Sequence, residues 1–324
     1  MKKVAIFIIL IISFGKAQLS FTAADISTSA NGATSVFVVD IDNDGDLDIV
    51  SASRLDDKIA WYENDGAANP TWTAATIATS ADNATFVYVA DMDNDGDLDI
   101  VSASQDDDAI AWYENDGAAD PSWTAADIAT SADAPQSVFV ADMDGDGDMD
   151  IVSASENDAT IAWYENDGAA DPSWTAADIA TNAVGAQWVF AADMDGDGDM
   201  DIVSASYTDD AIAWYENDGA ADPSWTAADI ATSANGAKSV FVADMDMDGD
   251  MDIVSASRED DKIAWYENDG AANPSWAAAT IATSAVSATS VFVADMDMDG
   301  DMDIVSTSEE DDAIAWYEND GAAD

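Results

Sequence analysis

Cysteine and histidine are both absent from the 324 residues, and lysine and arginine together number only 8. Without cysteine there is no disulfide framework and no thiol nucleophile; without histidine there is no Ser-His-Asp arrangement; without either, the usual zinc sites are excluded. The few basic residues face 68 aspartates and glutamates, for a formal net charge of −60. Such a field repels nucleic acid and anionic membrane surfaces and attracts cations, so neither nucleic acid nor a lipid surface is an expected partner. Long apolar runs are also missing. Beyond residue 17 no stretch approaches the roughly 20 apolar residues of a membrane-spanning helix. At the N-terminus, Met1-Lys2-Lys3 is followed by an apolar run over residues 4–14 and by Gly15-Lys16-Ala17. A charged start, a short apolar core and small residues after it predict a signal peptide over residues 1–17 and a secreted or cell-surface protein.

What is present is repetition. Hydrophobic residues make up 48% of the chain, too many for simple disorder. The phrase Asp-x-Asp-x-Asp-Gly-Asp-x-Asp-Ile-Val begins at Asp40, Asp91, Asp142, Asp193, Asp244 and Asp295, every 51 residues. Ile-Ala-Trp-Tyr-Glu-Asn-Asp-Gly-Ala-Ala follows each time, with its tryptophan at Trp61, Trp112, Trp163, Trp214, Trp265 and Trp316. The expected organisation is one domain over 18–324, made of repeats 19–69, 70–120, 121–171, 172–222, 223–273 and 274–324.

Each repeat holds four short runs of strand character, separated by Gly, Asn, Asp and Pro; in the first copy they are 21–26, 36–39, 48–53 and 59–63. Four strands in a repeat of this length predict an all-β fold, a β-propeller of four-stranded blades. A solenoid is the competitor, but β-helix repeats are much shorter. Six blades are expected, with seven or more if the chain is a fragment. Phe21-Thr22-Ala23-Ala24-Asp25-Ile26 matches the Trp-Thr-Ala-Ala-Asp-Ile found between other blades. Paired into the last blade, it would supply a missing fourth strand and close the ring. Alternation puts Ile59 and Trp61 on one side of a blade and Ala60 and Tyr62 on the other, so the repeated tryptophans are expected between blades.

The aspartate-rich loop is the candidate site. Its positions 1, 3, 5, 7 and 9 are Asp40, Asp42, Asp44, Asp46 and Asp48 in the first copy, and Asp91, Asp93, Asp95, Asp97 and Asp99 in the second. The third and fourth copies have Asp142, Asp144, Asp146, Asp148 and Asp150, then Asp193, Asp195, Asp197, Asp199 and Asp201. The fifth and sixth have Asp244, Asp246, Asp248, Asp250 and Asp252, then Asp295, Asp297, Asp299, Asp301 and Asp303. Hard Ca²⁺ takes about six to eight oxygens, and alternating carboxylates on a coiled loop supply them. Position 7 would contribute its backbone carbonyl. So many carboxylates repel one another unless a divalent ion sits among them, and one Ca²⁺ per repeat is expected, six in all. An EF-hand shares the first half of this pattern, but position 12 here is serine in every copy, Ser51 in the first, and a strand follows where the EF-hand has a helix.

Over residues 19–324 the repeat resembles the FG-GAP-like or VCBS-type repeats of integrin α-subunit propellers, of secreted bacterial proteins and of some fungal propeller lectins. The resemblance rests on the iterated Asp-x-Asp-x-Asp-Gly-x-x-Asp loop running into Ile-Val, and on Trp-Tyr-Glu-Asn-Asp-Gly. It implies calcium on the hairpin between the first and second strands of each blade. The literal Phe-Gly and Gly-Ala-Pro signatures of integrin blades are missing, so integrin-type recognition does not follow.

In a four-strand meander the metal hairpin and the Glu-Asn-Asp-Gly turn share one face, and both are nearly constant between copies. The opposite face receives the connections that vary: residues 31–35, 82–86, 133–137, 184–188, 235–239 and 286–290, and the second hairpins. Past residue 17 the basic residues are Arg54, Lys58, Lys238, Arg258 and Lys262, all in these variable connections. Phe86 and Trp188 stand where the other copies have serine. These seven residues are the candidate contacts for a protein or glycan ligand on a monomeric, secreted binding or adhesion module; drift in unconstrained loops accounts for the same variation. A spacer in a larger surface protein and a propeller-based carbohydrate-active enzyme are the alternatives. Acid pairs such as Glu63 and Asp65 recur identically in each copy, whereas a catalytic centre needs one asymmetric constellation. The acidity also fits adaptation to salt.

Overall fold

The computed structural model describes residues 24–321, so the expected signal peptide lies outside it. The chain is a six-bladed β-propeller, each blade an antiparallel meander. Blade one consists of Ala33–Val39, Asp48–Ser53, Lys58–Asn64 and Trp72–Ala78, paired in chain order. Its fourth strand belongs to the next sequence repeat, the offset anticipated from the Trp-Thr-Ala-Ala-Asp-Ile slot. The first strand starts three residues earlier than expected, because a bulge between Ala33 and Ser35 keeps it paired to Ser53. The bulged Thr34 turns its hydroxyl to the carbonyl of Ala84 in blade two (2.9 Å), and Thr85 does the same to Pro135 in blade three.

Packing follows the alternation of the strands. Ile59 and Trp61 of blade one share a cluster with Val87, Val89, Ile100 and Tyr113 of blade two. Equivalent clusters join blades two and three, three and four, four and five, and five and six. The Ala-Trp-Tyr tryptophans of blades one to five are therefore inter-blade packing, as expected, whereas Trp316 of blade six is about half exposed. The second strand, Asp-Ile-Val-Ser-Ala-Ser, is buried along its whole length in blades two to five, lying between two strands of its own sheet and between two neighbouring blades. Around the axis the innermost strands carry a ladder of rings, Phe37, Tyr88, Phe139, Phe190, Phe241 and Phe292, with successive centroids 4.7 to 5.3 Å apart.

The ends of the arc differ from its middle. Blade six has three strands among the described residues, Ala288–Ala294, Asp303–Ser308 and Ala313–Tyr317. Of the segment expected to supply its fourth, residues 21–23 lie outside the described residues and 24–26 form no strand. The pairing that would close the ring is thus not found among the described residues.

Candidate metal centres and the opposite face

Each acidic loop joins the first and second strands and is wound by its own carboxylates. In blade one the Asp40 carboxylate accepts the amide of Gly45 (3.0 Å), Asp42 that of Asp44 (3.2 Å) and Asp44 that of Asp46 (2.9 Å). Gly45 at position 6 has φ near +99°, a backbone state open to glycine and strained for other residues. This winding gathers Asp40, Asp42 and Asp44 so that one carboxylate oxygen from each lies within 4.8 Å of the others. The same holds for Asp142, Asp144 and Asp146, for Asp193, Asp195 and Asp197, and for Asp244, Asp246 and Asp248; in blade two the trio is Asp91, Asp93 and Asp99. One oxygen each of Asp40, Asp91 and Asp295 is buried with no hydrogen-bond partner among the described residues. A buried carboxylate oxygen without a donor is costly, and a divalent cation could supply the missing partner. The donors are all hard oxygens, so the set fits Ca²⁺.

Position 9 anchors the loop. Asp99 is buried and accepts the amides of Met92 (3.1 Å) and Asn115 (2.8 Å), tying the loop to the third strand. Burial pushes Asp99, Asp150 and Asp201 up to about 7 and Asp252 up to about 6, against the lowering effect of those amides. Position 3 is also raised, in Asp42, Asp93, Asp144, Asp195 and Asp246, chiefly by burial and further by neighbouring carboxylates. These sites disfavour negative charge when only protein surrounds them.

Position 7 has another job. An added Cβ on Gly66 would sit 2.0 Å from the Asp46 carboxylate, and the same close approach joins Gly117 to Asp97, Gly168 to Asp148 and Gly219 to Asp199. The glycine of Glu-Asn-Asp-Gly therefore makes room for the side chain at position 7. Position 12 points elsewhere: Ser102 and Ser153 lie 3.4 and 3.5 Å from the hydroxyls of Tyr113 and Tyr164, so these serines do not complete an EF-hand set.

One functional residue had no role in the sequence reading, the asparagine of Trp-Tyr-Glu-Asn. In blade three Asn166 donates its side-chain amide to Met149 O in its own loop (3.1 Å) and to Met92 O in the loop of blade two (2.7 Å). Its oxygen accepts the amide of Gly168 (3.0 Å). Asn115, Asn217, Asn268 and Asn319 repeat the bridge. Only its identical recurrence in all six copies hinted at this, and bridging to the preceding blade is a property of the ring alone.

The profile of the FG-GAP-like repeat matches residues 40–102, 91–153, 142–204, 193–255 and 244–306. The chain belongs to the FG-GAP-like repeat family. Each match runs from the first aspartate of one loop to the position-12 serine of the next, so it spans one inter-blade junction of this FG-GAP-like propeller. No curated protein matches the chain. Among solved structures it is similar to a protein from Lactobacillus plantarum, at TM-score 0.63 and 14% identity, covering 89% of this chain and 81% of that one. A candidate 6-phosphogluconolactonase from Bacteroides uniformis aligns at TM-score 0.61 and 14% identity, over 92% and 83% of the two chains. At these identities the likeness concerns the fold alone.

On the opposite face of the FG-GAP-like propeller, Phe86 of blade two and Trp188 of blade four meet edge to face with centroids 5.1 Å apart, and the equivalent position of the blade between them is Ser137. Each is half-buried, and they contact one another where the sequence suggested two open platforms. Lys58 and Lys262 pair with Asp56 and Asp260 in their own hairpins, while Arg258 reaches Glu309 of blade six (2.8 Å). Lys238 donates to Gln187 (2.7 Å) and lies over the ring of Tyr207, and its burial lowers its pKa. Arg54 is exposed and makes no ion pair among the described residues.

Proposed function

We propose that this FG-GAP-like propeller is a secreted, calcium-stabilised binding module that takes a protein or glycan ligand on the face opposite its metal loops. The observation that carries the proposal is the division between its two faces. One presents nearly identical carboxylate loops with buried oxygens lacking donors. The other presents side chains that differ from blade to blade, including Arg54, Arg258, Lys238, Phe86 and Trp188. Six copies of one ion site suit a structural ion, and an asymmetric set of side chains on a rigid ring suits recognition.

We take the protein to be a binder and not an enzyme, because the aspartate of its recurrent acid pairs has structural employment. Asp65 accepts the Thr71 hydroxyl and the amides of Thr71 and Ala67, which hold its carboxyl below the ordinary range and fix the turn between the third and fourth strands. The test is a screen on glycan and protein arrays in calcium, comparing the wild type with Arg54→Glu/Arg258→Glu. A ligand retained by the wild type and lost from the variant supports recognition on this face. A ligand held equally by both would move recognition elsewhere, and an empty screen would favour the spacer reading.

A further inference from the structure

The hairpin between the second and third strands of a blade comes in two versions. In blades one and five the third strand opens with a lysine, and Lys58 pairs with Asp56 (3.1 Å) as Lys262 does with Asp260. In blades two, three and four Ala109, Thr160 and Ala211 take that place, while the aspartate stays as Asp107, Asp158 and Asp209. The registers agree, since Thr160 pairs with Ser155 as Lys58 does with Ser53 and Lys262 with Ser257. A second exchange accompanies the first. On the fourth strand, Thr76 and Thr280 stand opposite Ala60 and Ala264 in the lysine blades, whereas Asp127, Asp178 and Asp229 stand opposite Ala111, Ala162 and Ala213 in the others. One version therefore combines an aspartate, an ammonium and a threonine; the other has two aspartates and no cation.

Blade three shows what the exchange leaves behind. A cavity of about 310 Å³ lies between its third and fourth strands, Thr160–Asn166 and Trp174–Ala180, and the chain arriving from blade two. Thr160, Ala162 and Tyr164 alternate onto one face of the third strand and line the cavity with Ile128, Asp158 and Asp178. The two aspartates are exposed, and neither makes an ion pair among the described residues. Burial raises the pKa of Tyr164, and the charges of Asp158 and Asp178 raise it further, so both carboxylates bear on one hydroxyl. Tyr164 is only 4% exposed. Among the described residues its oxygen has one partner, Ser153 at 3.5 Å, which is long for two hydroxyls and leaves it able to accept from a donor.

We propose that this cavity binds a primary alkylammonium group, the chemistry shared by a lysine side chain and a polyamine, with Asp158, Asp178 and Tyr164 as its acceptors. The molecule carries the precedent, since in blades one and five a lysine of the chain reaches the corresponding aspartate. An ammonium offers three donors and no acceptor, which matches two carboxylates and a phenol oxygen, and the methylenes behind it suit Ile128 and Ala162. The field of a chain of net charge −60 gathers cations at its surface. Neither Arg54 nor Arg258 lines the cavity, so the site stands apart from the ligand proposed for the variable face.

The test is methyl NMR of the full chain in saturating calcium, titrated with n-butylammonium and read at the isoleucines. Ile128 is expected to shift along a saturable curve. Ile230, its counterpart at the junction where Lys262 stands, is expected to stay unmoved. Thr160→Lys copies the hairpin of blades one and five and should weaken the Ile128 response about tenfold at an unchanged melting temperature. Asp178→Asn, at an exposed position, should weaken it too. Spermidine and lysine amide, titrated in turn, tell which source of the ammonium the cavity prefers. Equal shifts at Ile128 and Ile230 would mean counter-ions gathering on an acidic surface, and would overturn the proposal. So would a response that both variants leave intact, or no shift at Ile128.

Discussion

At position 9 of each loop, a carboxylate that could serve a metal also holds the loop to the sheet. Asp150 accepts the amides of Met143 (3.1 Å) and Asn166 (2.8 Å) in a buried setting, and burial lifts its carboxyl from 3.8 to about 7. Between those two values the folded chain keeps a proton that the unfolded chain has released, so without metal this group makes stability fall as pH rises across that window. Bound Ca²⁺ needs the charged carboxylate and reverses the trend. In chelator, melting is expected at a higher temperature at about pH 5 than at about pH 7.5, and in calcium the order should invert. Asp150→Asn should lessen the dependence in chelator without abolishing it, since Asp99, Asp201 and Asp252 keep the same raised carboxyl, measured by scanning calorimetry. The carboxylates at positions 1, 3 and 5 were legible in the sequence because their spacing alone brings them together. The double anchoring of position 9 was not, since one of its donors lies 16 residues ahead on another strand. Gly168 belongs to the same scale. Gly168→Ala puts a methyl group against the Asp148 carboxylate and is expected to cost at least about 1 kcal/mol, because its φ is also positive. Urea denaturation would measure it.

Hairpins and strands are where the loops become coupled. The third strand ends in an asparagine that hydrogen-bonds two successive metal loops, so neighbouring ion sites share a fixed element. Asn166→Ala leaves the carbonyls of Met92 and Met149 without their donor, and a loss of about 1–3 kcal/mol is expected on unfolding in urea. Calcium affinity should fall at the loops of blades two and three together, whereas Asp142→Asn should weaken blade three alone; calorimetric titration separates the two. Strand existence and order were readable from alternation and from the Gly, Asn and Asp punctuation. The start of the first strand was not, because a bulge at Thr34 carries pairing past the point where the β-branched run begins.

Across the whole molecule, one face is acidic and constant and the other variable. On the variable face Phe86 packs against Trp188, a contact between non-adjacent blades that no repeat-level pattern encodes. Replacing each with the serine that other blades carry should show a coupling of about 0.5–1.5 kcal/mol in a double-mutant cycle of stability. These rings therefore tie two blades together, and on the proposed reading Arg54, exposed and without an ion pair among the described residues, is the more available contact for a ligand. On the proposed reading, calcium is the partner on which the whole arrangement would depend. By themselves the loops crowd carboxylates whose burial already disfavours charge, and an ion held in each would reinforce the hairpin that starts every blade. The most direct test is scanning calorimetry at neutral pH, with the chain in chelator and then in rising calcium. Melting temperature should climb with calcium, each site adding about 2.7 kcal/mol when the ion stands at about 100 times its dissociation constant. Superimposable melting curves in calcium and in chelator would contradict it.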